Sequence, residues 1–256
     1  RSMEVSIPIT QLVGFVMALA RTTAWISICP PFNSPSVPKR VRVGLATAIS
    51  FAIAGTIGEA APVSLEIGPF ILSLLAQVLA GLALGFSVFL LFSAVQSAGD
   101  LIDLQVGFSL GAVLDPLSGA SAAPIARFHQ LLAIALLFAI NGHVLVVQGY
   151  LRSVEAVPLG QIDLQVLSHE LLNMLVSFTI AAVEIGLPVL AALFCTEVAL
   201  GLLGKAAPQL NILVLGFAAK TVVALMLLGM TLALLPETVE SLIGQAIRSG
   251  GRAFGG

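Results

Sequence analysis

Six long runs of nearly pure hydrocarbon, separated by short polar punctuation, dominate the chain. They extend from Ile7 to Ile28, Val43 to Ile57, Phe70 to Val95, Phe128 to Val147, Leu171 to Leu203 and Leu210 to Leu235. No strand-like alternation interrupts them, and runs near 20 apolar residues match the length of a membrane-crossing helix. The second run is short by that measure. The fifth is too long and carries Pro188, so it reads as two segments or as one kinked helix longer than the bilayer is thick. Runs that fit a bilayer this unevenly point to helices that pack mainly on other protein.

The longest polar interruption, residues 98–124, is rich in Gly and Ser and lies at the centre of the sequence. Non-helical backbone at membrane depth survives only where it is buried in protein or lines a water-filled cavity. Such a stretch is therefore expected to line or close a passage.

Composition sharpens this picture. Of 256 residues 58% are hydrophobic and only 9% charged, and the mean hydropathy is +1.08. Soluble domains carry about 25% charged residues, so most of this surface faces something other than water. The fold class is accordingly all-α, a polytopic membrane protein. A net charge of −2 excludes a strongly basic nucleic-acid binder. Cys29 and Cys195 lie within or beside apolar runs, define no disulfide framework or metal spacing, and read as small buried hydrophobes. The N-terminal run has Arg21 inside it and lacks a small-residue cleavage site, so it does not read as a cleaved signal. Arg1 and Ser2 read as additions ahead of a native start at Met3. Lys39, Arg40 and Arg42 in the first loop, against Glu59 and Glu66 in the second, place the first loop in the cytoplasm and the second outside.

Four charges lie within the apolar runs: Arg21, Glu184, Glu197 and Lys220. At the centre of an isolated spanning helix an Arg, Lys or Asp costs roughly 2.5–3.5 kcal/mol. Two acids and two bases offset much of that by pairing, the reading preferred here over an ion or proton relay. Gly81 and Gly85 form a small-xxx-small spacing that lets helix backbones approach closely.

One enzyme signature is present. Residues Gly107 to Gly111 match G-x-S-x-G around Ser109, with Asp103, Asp115, His129 and His143 nearby. A nucleophile elbow needs a strand, a sharp turn and a helix within an α/β sheet, and this composition offers none. The chain also lacks a phosphate-binding loop, an H-E-x-x-H zinc motif and a dinucleotide fingerprint. We therefore read it as a non-enzyme that needs no cofactor or metal.

The polar punctuation carries a more specific signal. Pro31-Phe32 is followed by Val37-Pro38-Lys39-Arg40-Val41-Arg42. Ala98 to Asp103 leads into Gln105-Val106-Gly107-Phe108-Ser109 and then Asp115-Pro116. Asn141-Gly142-His143 interrupts the fourth run, and Ala207-Pro208-Gln209-Leu210-Asn211 precedes the sixth. In order and spacing these four motifs closely resemble the FliR family of bacterial flagellar biosynthesis proteins, from about Ile7 to Leu235. Relatives of that family serve virulence type III secretion systems.

The resemblance implies a subunit of an export gate at the centre of the flagellar basal body, in the inner membrane. Its partners would be several FliP-type and FliQ-type subunits in a helical assembly, with FlhB- and FlhA-type export proteins nearby. Unfolded flagellar proteins would be the cargo. It implies a FliP-like portion over 1–160 and a FliQ-like portion over 161–256, with a soft boundary near Pro158 to Ser168. Between the GFS and DP motifs the family has a loop that plugs the closed channel, here Gly107 to Pro124. Its expected plug residues are Gly107, Phe108, Leu110, Gly111, Val113, Leu114, Asp115 and Pro116. Apolar side chains there suit a constriction that gates by dewetting, and Asp115-Pro116 favours a turn. The remaining motif residues, Pro31, Pro38, Arg40, Asp103, Gln105, Asn141, Gly142, His143, Pro208, Gln209 and Asn211, are expected to serve structure and assembly. In particular, Asn141 and His143 would bond across helices, and Pro208, Gln209 and Asn211 would end one helix and cap the next. A small-molecule or ion transporter is the competing function class, and a virulence-system counterpart is the competing branch.

Overall fold

The computed structural model describes residues 9–34, 37–60, 66–108, 123–156 and 163–253. Among them are seven α-helices: α1 (Ile9–Ile28), α2 (Lys39–Ala60), α3 (Ile67–Val106), α4 (Pro124–Ala139), α5 (Gly142–Ala156), α6 (Leu164–Ala206) and α7 (Ile212–Ala253). No strand occurs among the described residues. Five helices are long and apolar enough to cross a membrane, and α4 with α5, bent by 76° at their junction, makes a sixth if taken as one broken span. The protein is an all-α, polytopic membrane protein.

Helix boundaries depart from the hydrophobic runs in four places. The helix on the second run is longer than the run itself: α2 has 22 residues, because Lys39, Arg40 and Arg42 form its first turn and are helical despite their charge. The third run continues through Gln96 to Val106, so α3 has 40 residues. At 1.5 Å per residue it is about 60 Å long, twice the hydrocarbon thickness. The fourth run breaks at Asn141, whose φ of 55° lies in the left-handed region that Asn tolerates better than most residues. The fifth run is one helix, α6, which holds Pro188 inside it.

The chain forms two compact units, each assembled from separate stretches. The first comprises Arg1–Leu90, Asn141–Leu175 and Ile243–Gly256. Here α1 and α2 make an antiparallel hairpin at very close range. A Cβ on Gly14 would stand 2.5 Å from Ala54 O and 2.9 Å from Gly58 Cα, so only hydrogen fits between the backbones. The first half of α3 lies along α1 in the same way. A Cβ on Gly81 would fall 2.2 Å from Arg21 O, and one on Gly85 would fall 2.9 Å from Trp25 O. The G-x-x-x-G spacing is thus the seam of α3 on α1. On the neighbouring face of α3, Leu167 and Leu171 of α6 pack on Ala83, and Ser87 Oγ donates to Met174 Sδ at 3.2 Å.

The second unit comprises Leu91–Ile140 and Val176–Leu242. Its core is Ile102, Val106, Ile125, Val189, Leu193 and Ala224, contributed by the end of α3, the start of α4, α6 and α7. Helices α6 and α7 turn back on one another through Ala207 to Asn211. Asn211 opens α7: its Oδ1 accepts from Val214 N at 3.4 Å and its carbonyl from Leu215 N at 3.1 Å.

Candidate functional site

Three polar clusters stand out against this apolar background, and the second and third adjoin each other. The first is Arg21, fully buried in the first unit. One guanidinium nitrogen donates to Ser153 O at 2.8 Å and to Ser153 Oγ at 3.0 Å. The other donates to Gln77 Oε1 at 3.4 Å. Ser153 lies in the last turn of α5, where carbonyls have no partner within the helix and the dipole favours a cation. Arg21 therefore caps α5 from another helix. Around it, Tyr150 hydroxyl and Thr22 Oγ1 share a hydrogen bond at 2.6 Å, and the Trp25 and Tyr150 rings stack at 4.4 Å. All these groups are buried. The planar fork of Arg, with several fixed donors, suits such a site better than a Lys would.

The second cluster centres on Asp103, also fully buried, in the second unit. Its Oδ1 accepts from Ile125 N at 3.1 Å and its Oδ2 from Ala126 N at 2.9 Å. Those amides belong to the first turn of α4, whose N-cap residue, Ala123, makes no side-chain bond. Pro124 has no N–H to satisfy. Asp103 thus supplies from α3 the carboxylate that a local N-cap would provide, on the positive end of the helix dipole. Each bond to a charged acceptor contributes about 1.5–3 kcal/mol.

Close approach makes this reach possible. Gly99, one turn before Asp103 on the same face, would put a Cβ 2.4 Å from Ala126 Cα. Meanwhile the Asp103 carbonyl accepts from Gly107 N at 3.1 Å and Phe108 N at 3.0 Å. Gly107 has φ 104°, so α3 ends in a left-handed cap of the Schellman kind that favours glycine. One turn along α4, the buried His129 Nδ1 faces Ile125 O at 2.9 Å and its Nε2 faces Thr231 Oγ1 of α7 at 3.4 Å. Ile125 O can only accept, so Nδ1 carries a proton, while Thr231 Oγ1 donates its own proton to Leu228 O at 2.8 Å.

The third cluster lines a cleft of about 640 Å³ between the end of α3, α6 and α7. Glu197 Oε1 pairs with Lys220 Nζ at 3.3 Å, and its Oε2 accepts from Gln105 Nε2 at 2.8 Å. Leu104, Leu200, Leu213 and Phe217 supply apolar walls. Phe108 meets Phe217 edge-on, with ring centroids 5.7 Å apart.

Of the four charges in apolar runs, Glu197 and Lys220 pair with each other. Arg21 is held by neutral acceptors, and Glu184 is exposed on α6. Within this chain Glu184 is exposed and the Glu197 side chain is 54% exposed. Cys29 is buried as expected, and burial pushes its thiol up, but Cys195 is exposed. Pro31 is half-buried in the turn after α1, and Pro38 and Arg40 are exposed at the start of α2. Asn141 is exposed at the α4–α5 break, Gly142 is buried and His143 half-buried beside it, and Pro208, Gln209 and Asn211 are exposed in the α6–α7 turn. Gly107 and Phe108 close α3, whereas Leu110, Gly111, Val113, Leu114, Asp115 and Pro116 lie outside the described residues, as does Ser109.

Sequence reasoning noted Gly99 within a motif and His129 beside the G-x-S-x-G match but not their packing roles, and it missed Thr231 of the second cluster and Gln77, Tyr150 and Ser153 of the first. A glycine four residues before an Asp at the end of a long apolar helix was the one readable signal. It marks a face that admits another backbone and bears an acceptor for it.

Comparison with known proteins agrees with the geometry. The family described as "Bacterial export proteins, family 1" matches residues 12–246. The chain is 34% identical over 230 residues to the flagellar biosynthetic protein FliR of Escherichia coli (strain K12), covering 89% of this chain and 87% of that one. It is 32% identical over 235 residues to FliR of Pectobacterium carotovorum subsp. carotovorum, covering 90% and 88%. It is also 28% identical over 153 residues to the surface presentation of antigens protein SpaR of Shigella sonnei, with 59% of each chain covered.

Proposed function

The chain belongs to the bacterial export proteins of family 1, the family of FliR, and from that premise we propose that it is a subunit of the flagellar type III secretion export gate. It sits in the bacterial inner membrane as a multi-pass protein and forms part of the channel through which unfolded flagellar proteins leave the cell. Its role is structural and channel-forming, without catalysis. The observation that carries this reading is the likeness to FliR relatives across nearly the whole of both chains. The SpaR match favours a virulence-system counterpart as the second reading, but covers only 59% of this chain.

Incomplete burial supports an assembly role. In the most apolar stretch of α7, within Ile212–Ala233, only 11% of residues are buried within the chain, and the cleft that holds Glu197 and Lys220 lies beside that face. FliP-type and FliQ-type subunits are the partners proposed for it, with FlhB- and FlhA-type proteins adjoining, in a helical gate. On this reading the portion 1–160 is FliP-like and 161–256 FliQ-like. The stretch from Gly107 to Pro124 closes the resting channel, with Leu110, Val113 and Leu114 forming the apolar constriction alongside Phe108.

Co-expression with FliP- and FliQ-type proteins of the same genome, followed by native mass spectrometry of the detergent-extracted material, tests assembly. A defined hetero-oligomer is expected. A stable monomer or homodimer that ignores those partners would overturn the gate reading in favour of a transporter. Deleting Gly111 to Ser118 should leave the hetero-oligomer intact and make it leak ions, and a complex as tight as wild type would sink the plug assignment.

A further inference from the structure

We propose that Asp103 is a positioning residue that ties the two ends of residues 109–122 to one place, and is not merely a cap for α4. A single residue holds both ends with different atoms. Its carbonyl oxygen accepts from Gly107 N and Phe108 N, the last described residues before that stretch. Its two carboxylate oxygens accept from Ile125 N and Ala126 N, just beyond it. No side chain at Ala123 caps α4 locally, so the chain spends a buried carboxylate on a task that a Ser or Asp at position 123 would do at no desolvation cost.

What the remote carboxylate adds, and a local cap would not, is a fixed distance between the end of α3 and the start of α4. Two further features serve the same end. Gly99 brings the backbones to a separation that no side chain at that position would allow. On the far side of the junction, His129 and Thr231 hold α4 to α7, and Phe108 is seated against Phe217.

The consequence for ion flow rests on the plug reading given above, whereas the tie itself does not. The test separates a cap from a tie by moving the cap. In a Cys195→Ser background, spin labels are placed at Leu104→Cys and Phe128→Cys, exposed positions on α3 and α4. Their distance distribution is then measured by electron double resonance in the assembled gate complex. Three forms are compared: wild type at positions 103 and 123, Asp103→Ala, and Asp103→Ala with Ala123→Asp. The double variant restores an N-cap to α4 but not the link to α3.

A narrow distribution is expected for the first and a broadened one for both others, with ion leak through the reconstituted complex rising on the order of tenfold, the change that loss of about one charge-assisted bond produces. Asp103→Asn, which keeps one acceptor oxygen, should fall between and serves if the alanine form does not assemble. A double variant as narrow and as tight as wild type would overturn the tie and leave Asp103 a cap. Broadening without leak would support the tie and count against the plug reading alone.

Discussion

Arg21 and Asp103 solve the same problem at opposite ends of neighbouring helices. Asp103 sits on the open N-terminus of α4, Arg21 on the open C-terminus of α5, and each matches the sign of the dipole it meets. Each lies on a helix seamed to its neighbour by a glycine: Gly81 against Arg21 O, and Gly99 against Ala126. They differ in what surrounds them. Arg21 is enclosed by Trp25, Tyr150, Thr22 and Gln77, in the middle of the α1 helix. Asp103 holds a junction between two helix ends and adjoins a cleft. A buried charge inside a closed aromatic core can only hold a fold together. One that joins two helix ends also fixes the distance between them.

The comparison breaks most forcefully at Arg21. Replacing it with Ala leaves Ser153 and Gln77 without their donor in a packed interior and opens a cavity the size of a guanidinium. Large-to-small changes in cores cost about 2–5 kcal/mol, and each orphaned polar group adds about 1–3 kcal/mol. The expected outcome is loss of extractable folded protein, read as monodisperse yield in detergent. Arg21→Lys keeps the charge but not the fork, and should recover only part of that yield. Asp103→Ala, by contrast, should lower yield less, because it removes a buried carboxylate along with its two bonds, and should change behaviour at the α3–α4 junction. Should the two variants fail alike, the distinction between a fold-holding charge and an end-joining charge would be wrong.

The glycines sharpen the same contrast at somewhat smaller cost. Overpacking typically costs about 1–3 kcal/mol, and neither Gly81 nor Gly99 has a flexible neighbour to yield, since backbone atoms face both. Gly81→Val should lower thermal stability in detergent as a weaker copy of the Arg21 phenotype. Gly99→Val should push α4 off α3, break both carboxylate bonds and reproduce Asp103→Ala in leak and label mobility. A Gly99→Val protein indistinguishable from wild type would mean that the junction already tolerates separation.

How much of this was legible without coordinates follows from the same physics. Every apolar run became helical, the fourth as two helices broken at Asn141, because hydrocarbon length and the absence of alternation leave no other element. The polar extension of α3 from Ser97 to Val106 was not legible. Gln96 to Gln105 looks like a loop by composition, and it is helical because Asp103 and Gln105 find partners on α4 and α6. Asn141 was visible as an interruption, but its left-handed backbone and the 76° bend depend on the helices either side. That Glu197 and Lys220 would meet an opposite charge was legible, but not that each meets the other. Arg21 looked like half of an ion pair, and it donates to a serine and a glutamine from helices far away in sequence.

Glu197 and Lys220 supply the smallest effect and the control for the whole comparison. Theirs is an ion pair on facing helices that caps neither helix end, open to its surroundings on the Glu197 side. Exposed pairs contribute about 0–1 kcal/mol, so Lys220→Met and Glu197→Gln should each leave the thermal stability of the isolated chain unchanged within about 1 kcal/mol. Any larger consequence should surface only when partner subunits cover the cleft and remove water from the remaining charge, as reduced hetero-oligomer yield. Exposed Cys195, two residues before Glu197 on α6, reports that covering directly. A thiol-reactive maleimide should modify it in the isolated chain and not in the complex, while buried Cys29 stays unmodified in both. Equal labelling of Cys195 in the two states would mean that this face of α6 meets lipid rather than protein, and the exposed glutamates of that helix would then need another explanation.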